Sequence, residues 1–181
     1  MPRSIARRLF VTLVALLVPL ATPAASRADL DASSKRVLEK LLADVPAAKA
    51  LHARAVGVLV FPSITKAGFM IGGQYGEGVL WQNGKPTAYY NTAGASYGLQ
   101  AGAQQYGYAM FFMNRKSLDS LNATQGFEVG VGPSVVVVDQ GMAKSMTTTT
   151  VTEDVYAFVF AQKGLMAGIG IQGNKITRIN K

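Results

Sequence analysis

A chain of 181 residues with a formal net charge of +8, 49% hydrophobic and 15% charged residues, suits one domain with a full-sized core. Sparse charge on so apolar a chain excludes an intrinsically disordered protein. The lack of any cysteine excludes disulfides, thiolate metal sites and a lipid-modified cysteine anchor within this sequence.

The first 28 residues read as a secretory leader, a signal peptide. Arg3, Arg7 and Arg8 precede Leu9 to Ala21, a 13-residue apolar run, and Ser26-Arg27-Ala28 offers small residues before a cut after Ala28. The run is too short to cross a membrane, which takes about 20 apolar residues. Arg7-Arg8-Leu9-Phe10-Val11 also resembles a twin-arginine core, although paired arginines are common in ordinary leaders. The expectation is an exported, periplasmic or secreted protein whose mature part, residues 29–181, is one domain. Removing the four leader arginines leaves 14 bases against 10 acids, a net +4. That is mildly basic, suited to an anionic surface and without the concentrated stripe that nucleic acid demands.

Leu30, Val37, Leu38, Leu41, Leu42 and Val45 fall at helical spacing, with Asp31, Lys35, Arg36, Glu39 and Lys40 on the other side. Asp31, Ser33 or Ser34 can cap this helix, and Pro46 interrupts it before a second short helix, Ala47 to Ala53. The apolar stripe can pack on its own domain, or it can lie with its basic flank on a membrane. His52 is the only histidine. Without a companion it suits a surface or capping position better than catalysis or metal binding.

Ala55 to Trp81 opens with a Val-rich strand stopped by Pro62, then runs through Lys66-Ala67-Gly68 and Phe69-Met70-Ile71 into glycines 72, 73, 76 and 78. A phosphate loop needs its last glycine to open a helix. Here Gly78 leads instead into Val79-Leu80-Trp81 and Asn83-Gly84, a strong hairpin signal, so glycine-bent strands are the better reading. Thr87 to Asn91 closes the hairpin. From Ala95 to Asn114, Tyr106, Tyr108, Met110 and Phe112 alternate with smaller residues and predict a strand wrapping a small core. An aromatic stacking surface for bases would need interleaved Lys or Arg.

Arg115 to Ala123 reads as a short helix with Arg115 and Lys116 outward. Phe127, Val129 and Val131 alternate, four valines follow Pro133, and Asp139-Gln140-Gly141 makes a turn. Met142 to Thr152, with its four threonines, suits an edge strand. Val155 to Gln162 and Gly164 to Gln172 read as strands, and Gly173-Asn174 turns into a last one, Lys175 to Asn180. The expected fold is α+β: a strongly bent or barrel-like antiparallel sheet of about eight Gly-rich strands, an N-terminal amphipathic helix and a short inserted helix.

Val58-Leu59-Val60-Phe61-Pro62, Lys66-Ala67-Gly68-Phe69, Tyr75-Gly76-Glu77-Gly78, Ser96-Tyr97-Gly98-Leu99-Gln100-Ala101-Gly102, Gly132-Pro133-Ser134 and Gly164-Leu165-Met166-Ala167-Gly168 occur in one order. Together they resemble the SYLF (Ysc84-type) domain in a bacterial exported form, over about Ala47 to Asn180. In eukaryotes that resemblance implies a lipid-binding module that engages phosphoinositides and membranes, in some members with actin association. It uses an amphipathic helix before the domain together with basic residues. This chain departs from that pattern in having a leader and no partner module. Actin is not expected in a bacterial periplasm, and phosphoinositides are uncommon there. What carries over is the fold and binding to anionic lipid, with Lys35, Arg36, Lys40, Lys66, Arg115 and Lys116 as the basic residues involved.

Three functions compete. One is a lipid-binding module at a membrane surface, where each basic residue contributes on the order of 1 kcal/mol. The second is a structural or protein-interaction module of the envelope, using an exposed edge such as Met142 to Thr152. The third, an enzyme, is not expected. No nucleophile sits beside a base, no metal cluster exists, no cofactor is implied, and only convergence of His52, Glu77, Glu128 or Asp139 in a pocket would revive it.

Overall fold

The computed structural model describes residues 25–122, 126–129, 131–138, 151–164 and 173–181, with the backbone alone for 69–71, 96–101 and 162–164. Helix α1 spans Arg27–Asp44 and α2 spans Pro46–His52. Strands β1 (Gly57–Gln82) and β2 (Lys85–Phe112) form one long hairpin. A short helix α3 (Arg115–Asp119) and a 3-10 turn (Ser120–Asn122) follow. Then come β3 (Phe127–Glu128), β4 (Val135–Val138), β5 (Val155–Gly164) and β6 (Lys175–Ile179).

The sequence pattern breaks the hairpin into four shorter strands, whereas the chain runs through its glycines without leaving the sheet. Register is kept from Gly57 opposite Phe112 to Gln82 opposite Lys85, with slips only at Phe61/Ile64, Phe69/Ile71 and Leu80/Trp81. Glycine and bulges bend a strand more readily than they end it. Asn83 and Gly84, at φ of 51° and 73°, form the two-residue turn, whose positive dihedrals match strand twist.

Strand β2 is the spine. One edge carries β1 throughout; the other carries β6 beside Tyr89 to Ala93 and β5 beside Gln104 to Phe112. The order is β3-β6-β2-β5-β4, curled into a half-barrel. All pairs are antiparallel except β4 with β5, which is parallel. That departs from the all-antiparallel expectation. Residues 139–154 lie between the two strands, enough chain for the crossover that a parallel pair requires.

Alternation sorts the core into two sides. Leu59, Phe61, Ile64, Tyr106, Tyr108, Met110 and Phe112 face inward and meet Leu118, Leu121, Phe127 and Ile176. Val58, Val60, Ala109, Phe111, Tyr156 and Phe158 face outward against Leu38, Leu41, Ala48 and Leu51 of the helices. Two glycines let the curl close on itself. A β-carbon at Gly76 would lie 2.6 Å from Ile64 Cγ1, and one at Gly78 would lie 2.6 Å from Phe61 Cδ1.

Helix α1 begins earlier than its leucine pattern predicts. Ser26 caps it, its hydroxyl accepting from Asp29 N at 3.2 Å, so the residues read as a cleavage site form the first turn. Pro46 does not merely stop α1 but occupies the first turn of α2, where its missing N–H costs nothing.

Candidate functional site

The helix that carries the basic residues is docked. Leu30, Leu38 and Leu41 are buried, and Val37, Leu42 and Val45 are half-buried. Removing three buried leucines from the core costs about 1.5–3 kcal/mol apiece, which favours a helix that stays in place. Polar ties reinforce it: Trp81 Nε1 donates to Ser34 Oγ at 3.2 Å, Arg27 Nε donates to Tyr89 Oη at 2.8 Å, and Tyr89 in turn donates to Asp31 Oδ1 at 2.9 Å. Burial and the Asp31 carboxylate raise the Tyr89 pKa.

Docking turns the basic face to solvent. Lys35, Arg36 and Lys40 are all exposed, and helical spacing sets Arg36 opposite the buried stripe. Lys35 lies 3.9 Å from Glu39 and Lys40 lies 2.6 Å from Asp44. Exposed pairs of this kind hold their charges with only a few tenths of a kcal/mol. Arg36 has no ion pair among the described residues.

Arg115 and Lys116 are exposed at the start of α3. Asn114 caps that helix, its Oδ1 accepting from Ser117 N at 2.8 Å while its Nδ2 donates to Asp154 Oδ1 at 2.7 Å. Asp154 also accepts from Ser134 N at 3.2 Å. The Asn114 bond, followed by the Ser134 backbone bond, holds the Asp154 carboxyl below its ordinary pKa.

Lys66 is placed differently from the other five cations. It is only 6% exposed, in β1 opposite Gln104 of β2. Directly paired residues of an antiparallel ladder project to the same face, so Lys66 and Gln104 share the face that holds Ile64 and Tyr106. Next to them is a buried polar group that the sequence reading missed. Tyr106 Oη donates to Gln74 Oε1 at 2.7 Å, Gln74 Nε2 donates to Asn174 Oδ1, and Tyr108 Oη donates to Thr92 Oγ1 at 3.0 Å. Burial pushes the Tyr106 phenol up to about 12, opposed by the neighbouring Asn174 amide, and the Tyr108 phenol higher still, opposed first by its bond with Thr92 and less by Asn174. Gly94 leaves the room, since a β-carbon there would strike Asn174 Oδ1. The signal was present in period two: counting back by twos from Tyr108 through Tyr106 reaches Gln104.

A cavity of about 350 Å³ opens between Ser120, Phe127, Glu128, Val131, Pro133 and Lys175. It brings Glu128 together with neither His52 nor Glu77. The His52 ring stands edge-on to Phe111 at 6.4 Å, and Glu77 accepts from Lys181 Nζ at 2.7 Å. Asp139, and the edge expected at Met142 to Thr152 up to residue 150, lie outside the described residues. Among the described residues no helix is long and apolar enough to cross a membrane.

Residues 93–181 match the family model for Ysc84, described as "Las17-binding protein actin regulator". This segment belongs to the Ysc84 family. The Ysc84 match starts inside β2 and runs through β6, so it takes in Arg115 and Lys116 but neither α1 nor Lys66. No curated protein matches the chain. Lipid-related and actin-related binding is the general property of the Ysc84 (SYLF) family.

Proposed function

We propose that this Ysc84-family chain is an exported module that binds anionic phospholipid and associates peripherally with a membrane surface, acting by binding rather than catalysis. The observation that carries the reading is the orientation of α1: its leucines are turned into the domain, and Lys35, Arg36 and Lys40 are turned out. With the stripe docked, attraction is electrostatic. Three exposed bases at about 1 kcal/mol each give weak, salt-sensitive adhesion, to which Arg115 and Lys116 add where they reach the same surface. Glu39 and Asp44 reduce the net charge of this helix face, which keeps the adhesion reversible.

Flotation with phosphatidylglycerol and phosphatidylcholine vesicles, at low and high salt, tests this. Binding is expected only to the anionic vesicles and only at low salt. The double variant Lys35→Glu, Arg36→Glu should lose it while melting within a degree or two of the unaltered protein, because exposed charge changes alter stability by about 0.5 kcal/mol. Undiminished low-salt binding by that variant would remove α1 from the mechanism.

A further inference from the structure

Strand β3 lies at one edge of the sheet, and the cavity of about 350 Å³ opens beside it. That volume falls at the small end of the about 300–1,000 Å³ usual for small-molecule sites. Val131 and Pro133 give it an apolar wall, and Val131, at 62%, is the most exposed large apolar side chain among the described residues. Glu128 adds an acid and Lys175 a base. These two are direct partners in the β3–β6 ladder, so both project to one face of the sheet. Opposite charges so placed ordinarily pair. Here neither makes an ion pair or a side-chain hydrogen bond among the described residues.

Gly126 shows why. The Lys175 stem leans diagonally across the ladder, its Cε 3.2 Å from where a β-carbon on Gly126 would stand. Gly126, at a φ of 81°, thus supplies both the turn into β3 and the berth for that stem. Glu128 is left alone on its rung.

An acid and a base that line one cavity without meeting hold two separated charges beside an apolar wall. A simple anion would be repelled by Glu128, and a simple cation by Lys175. The complement is a molecule that carries both charges, with an ammonium for Glu128, an oxyanion for Lys175 and an apolar stem for Val131. We infer that this cavity binds a small zwitterion with a primary ammonium and an oxyanion, either the headgroup of an ethanolamine phospholipid or a free apolar amino acid. Both protein charges are exposed, so binding is weak and salt-sensitive. The site shares no residue with α1 and goes beyond adhesion to an anionic surface.

The test is isothermal titration calorimetry of the purified protein, at low salt, with glycerophosphoethanolamine, leucine, glycerol phosphate and ethanolamine. The unaltered chain should bind at least one of the two zwitterions saturably, and neither glycerol phosphate nor ethanolamine at the same concentrations. Removing one charge, in Glu128→Gln or Lys175→Met, should weaken that binding about two- to fivefold, the worth of one exposed ion pair. Reversing one, in Glu128→Lys or Lys175→Glu, should abolish it. Melting curves without ligand that match the unaltered chain separate loss of the site from loss of the fold. The Lys35→Glu, Arg36→Glu pair should bind the zwitterion as the unaltered chain does, even where its vesicle adhesion is lost. Tighter binding of glycerophosphoethanolamine assigns a lipid headgroup, and tighter binding of leucine a free amino acid. Failure of both zwitterions to bind the unaltered chain, or undiminished binding by Glu128→Lys, overturns the site. Glycerol phosphate binding as tightly as its ethanolamine ester overturns it too, because Glu128 would then have no part in recognition.

Discussion

Two glycines five residues apart in β1 should respond to alanine with opposite signs. At Gly78 a β-carbon would lie 2.6 Å from Phe61 Cδ1, 2.8 Å from the Val60 carbonyl oxygen and 2.9 Å from Phe61 Cε1. The ring of Phe61 is fully buried against Tyr108, centroid to centroid 4.8 Å, so it has little room to retreat. The carbonyl belongs to a strand already paired to β2. Accommodation therefore means prising apart the two halves of the curled hairpin, an overpacking cost of about 1–3 kcal/mol. At Gly73 nothing lies within 4 Å and the backbone needs no positive φ. There alanine only restricts the unfolded chain, a gain of about 0.4–1 kcal/mol. For a domain this size each kcal/mol moves the midpoint by about 2–4 °C. Circular dichroism melts should therefore place Gly78→Ala several degrees below the unaltered protein and Gly73→Ala level with it or above. Equal melting of the two variants would refute the claim that glycine serves here for close approach rather than for flexibility.

Alkaline pH should loosen the inner face. With Tyr106 raised to about 12 by burial, the unfolded chain ionises first, so its stabilising contribution is complete below pH 10 and fades between pH 10 and about 12. Tyr106→Phe should lower stability at neutral pH by stranding Gln74 Oε1, and flatten that alkaline loss in denaturant titrations. Asp154→Ala should cost about 1–3 kcal/mol by freeing Asn114 and Ser134 together. Because the folded Asp154 pKa is depressed, its contribution is present above the ordinary carboxylate range and is lost as pH falls through the folded value, which acid titration of the variant beside the unaltered chain checks. Sequencing the amino terminus of protein taken from the native envelope should begin at Asp29, and a retained Met1 in a cytoplasmic fraction would contradict export.

The elements were largely legible in the sequence because amphipathic period and turn chemistry are local. Leu38 and Leu41 gave the helix its buried face, Asn83-Gly84 gave the hairpin, and the bulky alternation at Tyr106 to Phe112 gave the inner wall. Continuity was not legible. Gly72, Gly73, Gly76 and Gly78 look like punctuation until their neighbours across the curl, Ile64 and Phe61, are known. The parallel β4–β5 pair was hidden as well, since Val135 to Val138 carry no mark of direction. Among the basic residues, Lys35, Arg36 and Lys40 could be assigned to the open side of a helix from spacing alone. Lys66 could not be sorted from them, because its burial depends on a strand pairing 38 residues away, with Gln104. Gln74 and Asn174, 100 residues apart, meet only through tertiary structure.

The amino end of α1 gives the position of any proteolytic cut a thermodynamic weight. Ser26 supplies the helix cap, Arg27 reaches Tyr89, and Ala25 offers its carbonyl to Lys181 Nζ at 2.7 Å. A cut after Ala28 removes all three and leaves the new ammonium of Asp29 at the positive end of the helix dipole, an unfavourable placement. Lys181 keeps Glu77, but Tyr89 keeps only Asp31. A cut three residues earlier, after Ala25, would spare both the cap and the arginine. Which peptide bond the protease chooses therefore sets how firmly the first turn of the basic helix is pinned to the sheet, and how far its outer face can adjust when it meets a charged surface.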